Sequence, residues 1–219
     1  MSAITAGNII DKAEIILQDL TNTRWTEAEL LGWLNDGQRE IVKLKPETSI
    51  TNLDSYTLVA GTKQTLPDGT GDDPAGIVLI DVPRNVADAS SGGVIRLIPR
   101  RILDDQVGTW HTGTGTVDIE HYTYDKRDPK HFYVYPPALA TAEVELIYSS
   151  APTDCASSAA TISIDDVYAN DLLNYIVYMA YLKDADYTVN DARASSLRAA
   201  FLQGLSLKEQ AETATEPTY

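Results

Sequence analysis

Arg24-Trp25-Thr26-Glu27-Ala28-Glu29-Leu30-Leu31-Gly32-Trp33-Leu34-Asn35-Asp36-Gly37-Gln38-Arg39-Glu40-Ile41-Val42 decides how the rest of the chain is read, because its helix start is written in its own side chains. Thr26 and Glu29 stand at the spacing where a hydroxyl and a carboxylate each cover a backbone N–H of the first turn. Leu30, Trp33, Leu34, Gly37, Ile41 and Leu44 then recur at helical intervals as one apolar stripe. Asp36, Arg39, Glu40 and Lys43 take the opposite face, and Pro46 follows the end. Trp25, Leu30, Trp33, Leu34 and Ile41 read as anchors of a helical body, Trp33 either as intrachain core or as a contact between neighbouring copies.

Working outward, Thr5 to Asp19 predicts an earlier helix with Thr5 or Asn8 as cap and Ile9, Ile10, Ala13, Ile16, Leu17 and Leu20 along one face. The two helices read as an antiparallel pair. From Thr48 to about Thr153 the helical period gives way to short alternating runs broken by Gly, Pro and Asp. Candidate strands are 56–60, 64–66, 77–82, 95–98, 117–124, 131–135 and 142–148, the last three reading as an antiparallel meander with a hairpin tip at 124–131. Helix returns after Asp165 or Asp166, with four tyrosines in an almost wholly apolar segment that includes Tyr175. A last helix from Thr188 to about Gln210 carries Ala194, Leu197, Ala200, Phe201 and Leu205.

The predicted class is therefore α+β. Residues 1–46 and 165–210 form a four-helix body with Tyr175 and Phe201 as further anchors, 47–164 an inserted antiparallel β-rich lobe, and 211–219 a polar, flexible tail. The points where the insertion leaves and rejoins the body must lie together.

Charge narrows the function. The formal charge is −15, from 32 acidic and 17 basic residues, the wrong sign for wrapping a duplex, which takes clustered Lys and Arg. The single Cys155 forms no intrachain disulfide. No stretch approaches the roughly 18 apolar residues of a membrane helix, so the reading is a soluble chain with no membrane partner.

The chemistry search yields little. His111, His121 and His131 lack metal-ligand spacing, and no serine sits in a nucleophile elbow. Asp68-Gly69-Thr70-Gly71-Asp72-Asp73 gathers carboxylates and glycines, but Leu79 stands where a calcium loop needs its closing Glu, so it reads as a solvated loop. Gly113-Thr114-Gly115-Thr116 is half of a phosphate-cradling pattern without the following Lys, and reads as a turn. Asp104-Asp105, taken as strand residues, point to opposite faces and make a poor acid pair. Catalytic, cofactor and metal sites are accordingly predicted as none. Two basic clusters stand out, Arg96, Arg100 and Arg101, and Lys126, Arg127 and Lys130. Each reads either as a solvated face with local ion pairs or as a docking surface for an acidic subunit or passing DNA.

A series of phrases in order resembles the head-to-tail adaptor (connector) proteins of tailed bacteriophages. They are Asp19-Leu20 through Arg24-Trp25-Thr26 to Trp33-Leu34-Asn35-Asp36, then Leu58-Val59-Ala60-Gly61-Thr62-Lys63-Gln64-Thr65-Leu66-Pro67, then Leu79-Ile80-Asp81-Val82 with Arg84-Asn85. Ile95-Arg96-Leu97, Leu103-Asp104, Trp110, His121-Tyr122-Thr123-Tyr124-Asp125, Asp128-Pro129-Lys130 and Phe132-Tyr133-Val134-Tyr135-Pro136-Pro137 continue it.

The resemblance implies a structural virion protein at the neck, assembled in the host cytoplasm. Its copies would form a dodecameric ring under the portal protein, carry double-stranded DNA through the lumen without sequence-specific binding, and present a platform to a tail nozzle or tube protein. Arg100, Arg101, Lys126, Arg127, Lys130, Leu205, Leu207 and Tyr219 are the candidate portal or tail contacts. The rival readings are a nozzle or tube component, and a carbohydrate- or ligand-binding β module on a helical stem, with Trp110, Tyr122 and Tyr133 to stack on a ligand. An acid-pair glycosidase comes last.

Overall fold

The computed structural model describes residues 4–86, 92–184 and 188–215, and their side chains except at 188–189 and 207–215. Among these residues the chain is mixed α+β, with five α-helices and two sheets. It divides into two compact units, residues 1–48 with 152–219, and residues 49–151.

The first unit holds α1 (Ala6–Leu17), α2 (Glu27–Leu44), α4 (Ala169–Lys183) and α5 (Thr188–Thr215). Both early helices begin where local chemistry places them. Thr5 and Asn8 form a capping box on α1, and Thr26 and Glu29 form one on α2. Between them, the Asp19 carboxylate accepts the N–H groups of Thr23, Arg24 and Trp25 at 3.0, 2.8 and 3.0 Å. These bonds, Trp25's foremost, hold its pKa below the usual carboxylate value. The helices do not form a self-contained pair: α1 and α2 each pack chiefly on α4, which also contacts α5. Gly37 permits one such approach, since a Cβ there would stand 3.0 Å from both Leu172 and Tyr175 of α4.

The buried face of α2 is rotated from the predicted stripe. Leu30, Leu34, Gly37 and Ile41 are inside as expected, but Asn35, Gln38 and Val42 join them, while Trp33 is half-buried and Leu44 exposed. The intrachain-core reading of Trp33 is therefore corrected. Of the face predicted for the first helix, likewise, Ile16 is 48% exposed and Leu20, which lies past the end of α1, is 68% exposed. The reason lies in residues 152–164, which group with the helices rather than with the strands. Their backbone lies outside the strands and takes partners from α2 and from the start of α1, where Ala6 and Gly7 N–H donate to the carbonyls of Ala160 and Ser158 at 2.8 and 2.7 Å. Asn35 brackets Cys155, donating to its carbonyl at 3.1 Å and accepting its N–H at 2.9 Å. Gln38 accepts the Ser163 N–H and O–H at 2.8 and 3.0 Å.

The second unit contains β1 (Ile50–Thr57), β2 (Gly61–Thr65), β3 (Gly76–Asp81), β4 (Arg96–Leu97), α3 (Arg100–Gln106), β5 (His121–Tyr124), β6 (His131–Ala138) and β7 (Glu143–Ser150). One sheet has the order β1-β7-β3 and the other β2-β6-β5-β4. All pairings are antiparallel except the short parallel pairing of β4 with β5. The expected meander is corrected: β5 and β6 form the hairpin, but β7 crosses to the centre of the other sheet. Alternation marks which face of a strand is buried and says nothing of which strand lies beside it.

Side chains of both sheets fill one apolar cluster, with Phe132 and Val134 from β6 meeting Val144, Leu146 and Tyr148 from β7. Its polar atoms find partners. Tyr122 donates its hydroxyl to Asp81 at 2.8 Å and Tyr148 to the Pro74 carbonyl at 2.9 Å. Burial pushes both phenols up, Tyr148 to about 12. The unit's two ends do meet: the Ser150 N–H donates to the Ser49 carbonyl at 2.8 Å. The lobe boundary thus falls at 49 and 151 rather than at 47 and 164.

Two further expectations change. The acid pair Asp104-Asp105 lies on α3, not on a strand, and each acid is 3.5 Å from the arginine one turn earlier, Arg100 and Arg101. The flexible tail predicted at 211–219 is corrected in its first part, because α5 continues to Thr215 through Ala211, Glu212 and Ala214; residues 216–219 lie outside the described residues. Ala and Glu are strong helix formers, and nothing in 211–215 interrupts the last turns.

Candidate docking surface

Arg100 of the first basic cluster and Lys126 and Arg127 of the second line one cleft of about 450 Å³ in the strand unit. Arg100 of α3 forms one wall, and Lys126 and Arg127 of the β5–β6 tip form another, with Tyr124, Tyr133 and His131 among the lining. Backbone geometry shapes the tip: Asp128 N–H closes a turn onto the Asp125 carbonyl at 2.9 Å. Arg127 donates to Asp125 at 2.7 Å, a bond that lowers the Asp125 pKa to about 2, and Asp128 pairs with His131 Nδ1 at 2.7 Å. Arg100 lies over the Tyr133 ring, 5.5 Å from its centre. That wall is anchored from behind. Leu103 and Trp110 are buried, Trp110 Nε1–H donates to Asp104 at 2.9 Å, and Trp110 meets Tyr133 edge-on with ring centres 6.0 Å apart.

The exposed candidates are therefore unequal. Arg127 is committed to Asp125, and Arg101 faces Asp105 outside the cleft lining. Lys126 and Lys130 are exposed, and their side chains have no ion-pair or hydrogen-bond partner among the described residues. Leu205 is corrected: it is 4% exposed and belongs to the core of the helical unit. The Leu207 side chain and Tyr219 lie outside the described residues. Of the anchors, Trp25, Leu30, Leu34, Ile41 and Phe201 are buried, while Tyr175 is half-buried against Phe201, ring centres 5.4 Å apart.

The remaining motifs are occupied by structural tasks. Asp68 accepts from Thr70 N–H at 2.9 Å, and Asp165 from Val167 N–H at 3.0 Å. Thr116 is clipped to β6 by bonds of 2.9 Å to the carbonyl of Pro137 and from the N–H of Leu139. His111 bonds Thr62 at 2.8 Å and stacks on Trp110. Cys155 is buried, and burial raises its pKa, the opposite of an activated thiol. Trp110 and Tyr122 are 2% and 3% exposed, so they offer no open platform for a sugar ring. Among the described residues no cluster of three His, Cys, Asp or Glu side chains could hold a metal, and no helix is long and apolar enough to cross a membrane.

Sequence reasoning passed over the polar residues that stitch the fold. Besides Asn35 and Gln38, Gln64 spans its own turn, accepting the Val59 N–H at 2.8 Å and donating to the carbonyls of Val59 and Gly61 at 2.8 and 3.0 Å. Asn85 donates to the Ile119 carbonyl at 2.8 Å and accepts the Ile119 N–H at 2.9 Å. Beside it, Arg84 pairs with Glu145 at 2.6 Å. The available signal was an amide inside an otherwise apolar run.

No curated protein matches the chain. The family model described as SU10 adaptor protein matches residues 4–218, spanning both units. A chain whose conspicuous polar residues are spent on holding its backbone, and whose open feature is a charged cleft, belongs to the SU10 adaptor protein family of phage head-to-tail adaptors.

Proposed function

We propose that copies of this chain assemble as a dodecameric ring beneath the portal protein, continue the DNA channel and offer the tail its attachment platform. The observation that carries this reading is the family match across residues 4–218. The charge of −15 supports it, since an acidic surface repels phosphates and lets a duplex pass without adhering. The C-terminal tail at 211–219, with Leu207 before it, is the proposed portal contact. Incubation with isolated portal rings, followed by sedimentation, tests the reading: the chain is expected to co-migrate with portal, and deletion of 211–219 to abolish this without changing the melting temperature. A chain that stays unbound at saturating portal overturns the adaptor role; a deletion that binds normally overturns the tail contact alone.

A further inference from the structure

We infer that the cleft between α3 and the β5–β6 tip receives a second copy of this chain, and that the acidic loop Asp68–Asp73 of that copy enters it. The inference rests on the proposal that copies of the chain assemble, and it names the contact.

Three observations carry it. Within a chain of 32 acidic and 17 basic residues, the cleft is lined by Arg100, Lys126 and Arg127 against the two carboxylates of Asp125 and Asp128. Those two acids already have partners, Asp125 in Arg127 and Asp128 in His131, and Arg100 faces Asp104, whereas the side chains of Lys126 in the lining and Lys130 beside it have none among the described residues. The cleft is thus short of carboxylates, which a second copy has in surplus.

The loop is built to project. Gly69 and Gly71 take φ of +84° and +95°, a left-handed backbone that favours glycine. The Gly76 N–H closes the base onto the Pro67 carbonyl at 2.8 Å. Asp72 is exposed and makes no ion pair or hydrogen bond among the described residues.

Topology puts loop and cleft where a repeating contact needs them. The loop leaves β2, one edge of the four-stranded sheet, and Arg100 follows β4, the other edge. Both features lie at the same end, since Thr65 of β2 pairs with His131, just past the hairpin tip. The loop therefore leaves one edge of the sheet, while the cleft lies between the central β5–β6 hairpin and the α3 that follows the other edge strand, two different patches as in a heterologous contact, where each copy engages its neighbour through a different surface. A run of phosphates fits less well. Asp125 and Asp128 would face a continuous line of like charge, whereas a protein loop brings spaced carboxylates together with N–H groups.

Charge reversal in the full chain tests the pairing. One variant combines Lys126→Glu with Lys130→Glu, and the other combines Asp72→Lys with Asp73→Lys; Asp72→Lys alone replaces the latter if thermal melting shows a folding defect. Isotope-labelled and unlabelled chains are mixed, with and without portal, and joined by a carbodiimide, which links carboxylates to amines in direct contact. Mass spectrometry then reads mixed-label peptides joining Lys126 or Lys130 to Asp72 or Asp73. Wild type is expected to give them, each variant alone to lose them by more than about tenfold, and an equimolar mixture of the two variants to recover links between the reversed patches. No mixed-label pair in wild type under either condition overturns the inference, as does undiminished ring formation by each variant alone. If the cleft variant keeps its self-association but loses low-salt affinity for duplex DNA, the cleft takes phosphate and the inference fails. Wild type that pairs as expected but ignores portal removes the adaptor reading and leaves this contact standing.

Discussion

The helical and strand units solve the same problem, satisfying buried backbone, with different emphasis. In the strand unit the ladders pair the N–H and C=O groups of the strands, so side chains are free to build an apolar centre around Phe132, Val134, Leu146 and Tyr148, and the buried amides of Gln64 and Asn85 serve the irregular backbone at 59–61 and at Ile119. In the helical unit residues 152–164 lie outside the strands, and the amides of Asn35 and Gln38 are buried to serve them. Regular structure lets a core be apolar. Irregular structure must be met by polar side chains, and a helix face that meets it ceases to look like a hydrophobic stripe.

The largest test of this contrast is Phe132→Ala, which empties a fully buried position in the strand unit. It is expected to cost about 3–5 kcal/mol in denaturant unfolding, with amide hydrogen exchange accelerated across β5, β6 and β7. Equal loss of protection in α2 would break the contrast, showing one cooperative core where two are described.

A smaller effect is expected from Gln38→Leu. The substitution adds apolar surface to α2, yet leaves the Ser163 N–H and hydroxyl without their acceptor, a loss of about 1–3 kcal/mol. Exchange should rise at 152–164 before it rises in the helices. A variant as stable as wild type would mean that the amide is incidental and that the segment is held by packing alone.

The smallest effect concerns the exposed hairpin tip. Asp125 has its pKa lowered to about 2, so its pair with Arg127 contributes fully above the ordinary carboxylate value of 3.8 and is lost as pH falls through about 2. The Asp125 carboxyl resonance should therefore be flat from pH 7 to about 4 and titrate below about 3. A midpoint near the ordinary value would show that the tip is unpaired in solution.

What was legible follows the range of each signal. The starts of α1 and α2 were, because Thr5–Asn8 and Thr26–Glu29 act within one turn. So were the buried faces of β6 and β7, which need only alternation. The seven-residue α3 was hidden, being too short for an apolar period, although Arg100–Asp104 and Arg101–Asp105 carried a helical spacing that could have exposed it. Of the candidate contacts, the basic residues were legible as clusters, but not that Arg100 and the Lys126–Arg127 tip share a cleft. Leu205 was read both as part of the α5 stripe and as a candidate contact, and its burial leaves the first of these, since the weak stripe is completed by packing on α4.

By itself, then, the order of residues determined the helix starts, the faces of the longer strands, the net charge and the resemblance to the adaptor family. All depend on neighbours a few residues apart or on sums over the chain. Only the tertiary structure decided that Trp33 stands at the margin of its unit, that β7 joins β1 and β3, and that Arg100 of α3 shares a cleft with the β5–β6 tip. Those outcomes depend on which distant segment arrives as partner, and the pattern of a single helix or strand carries no term for that choice.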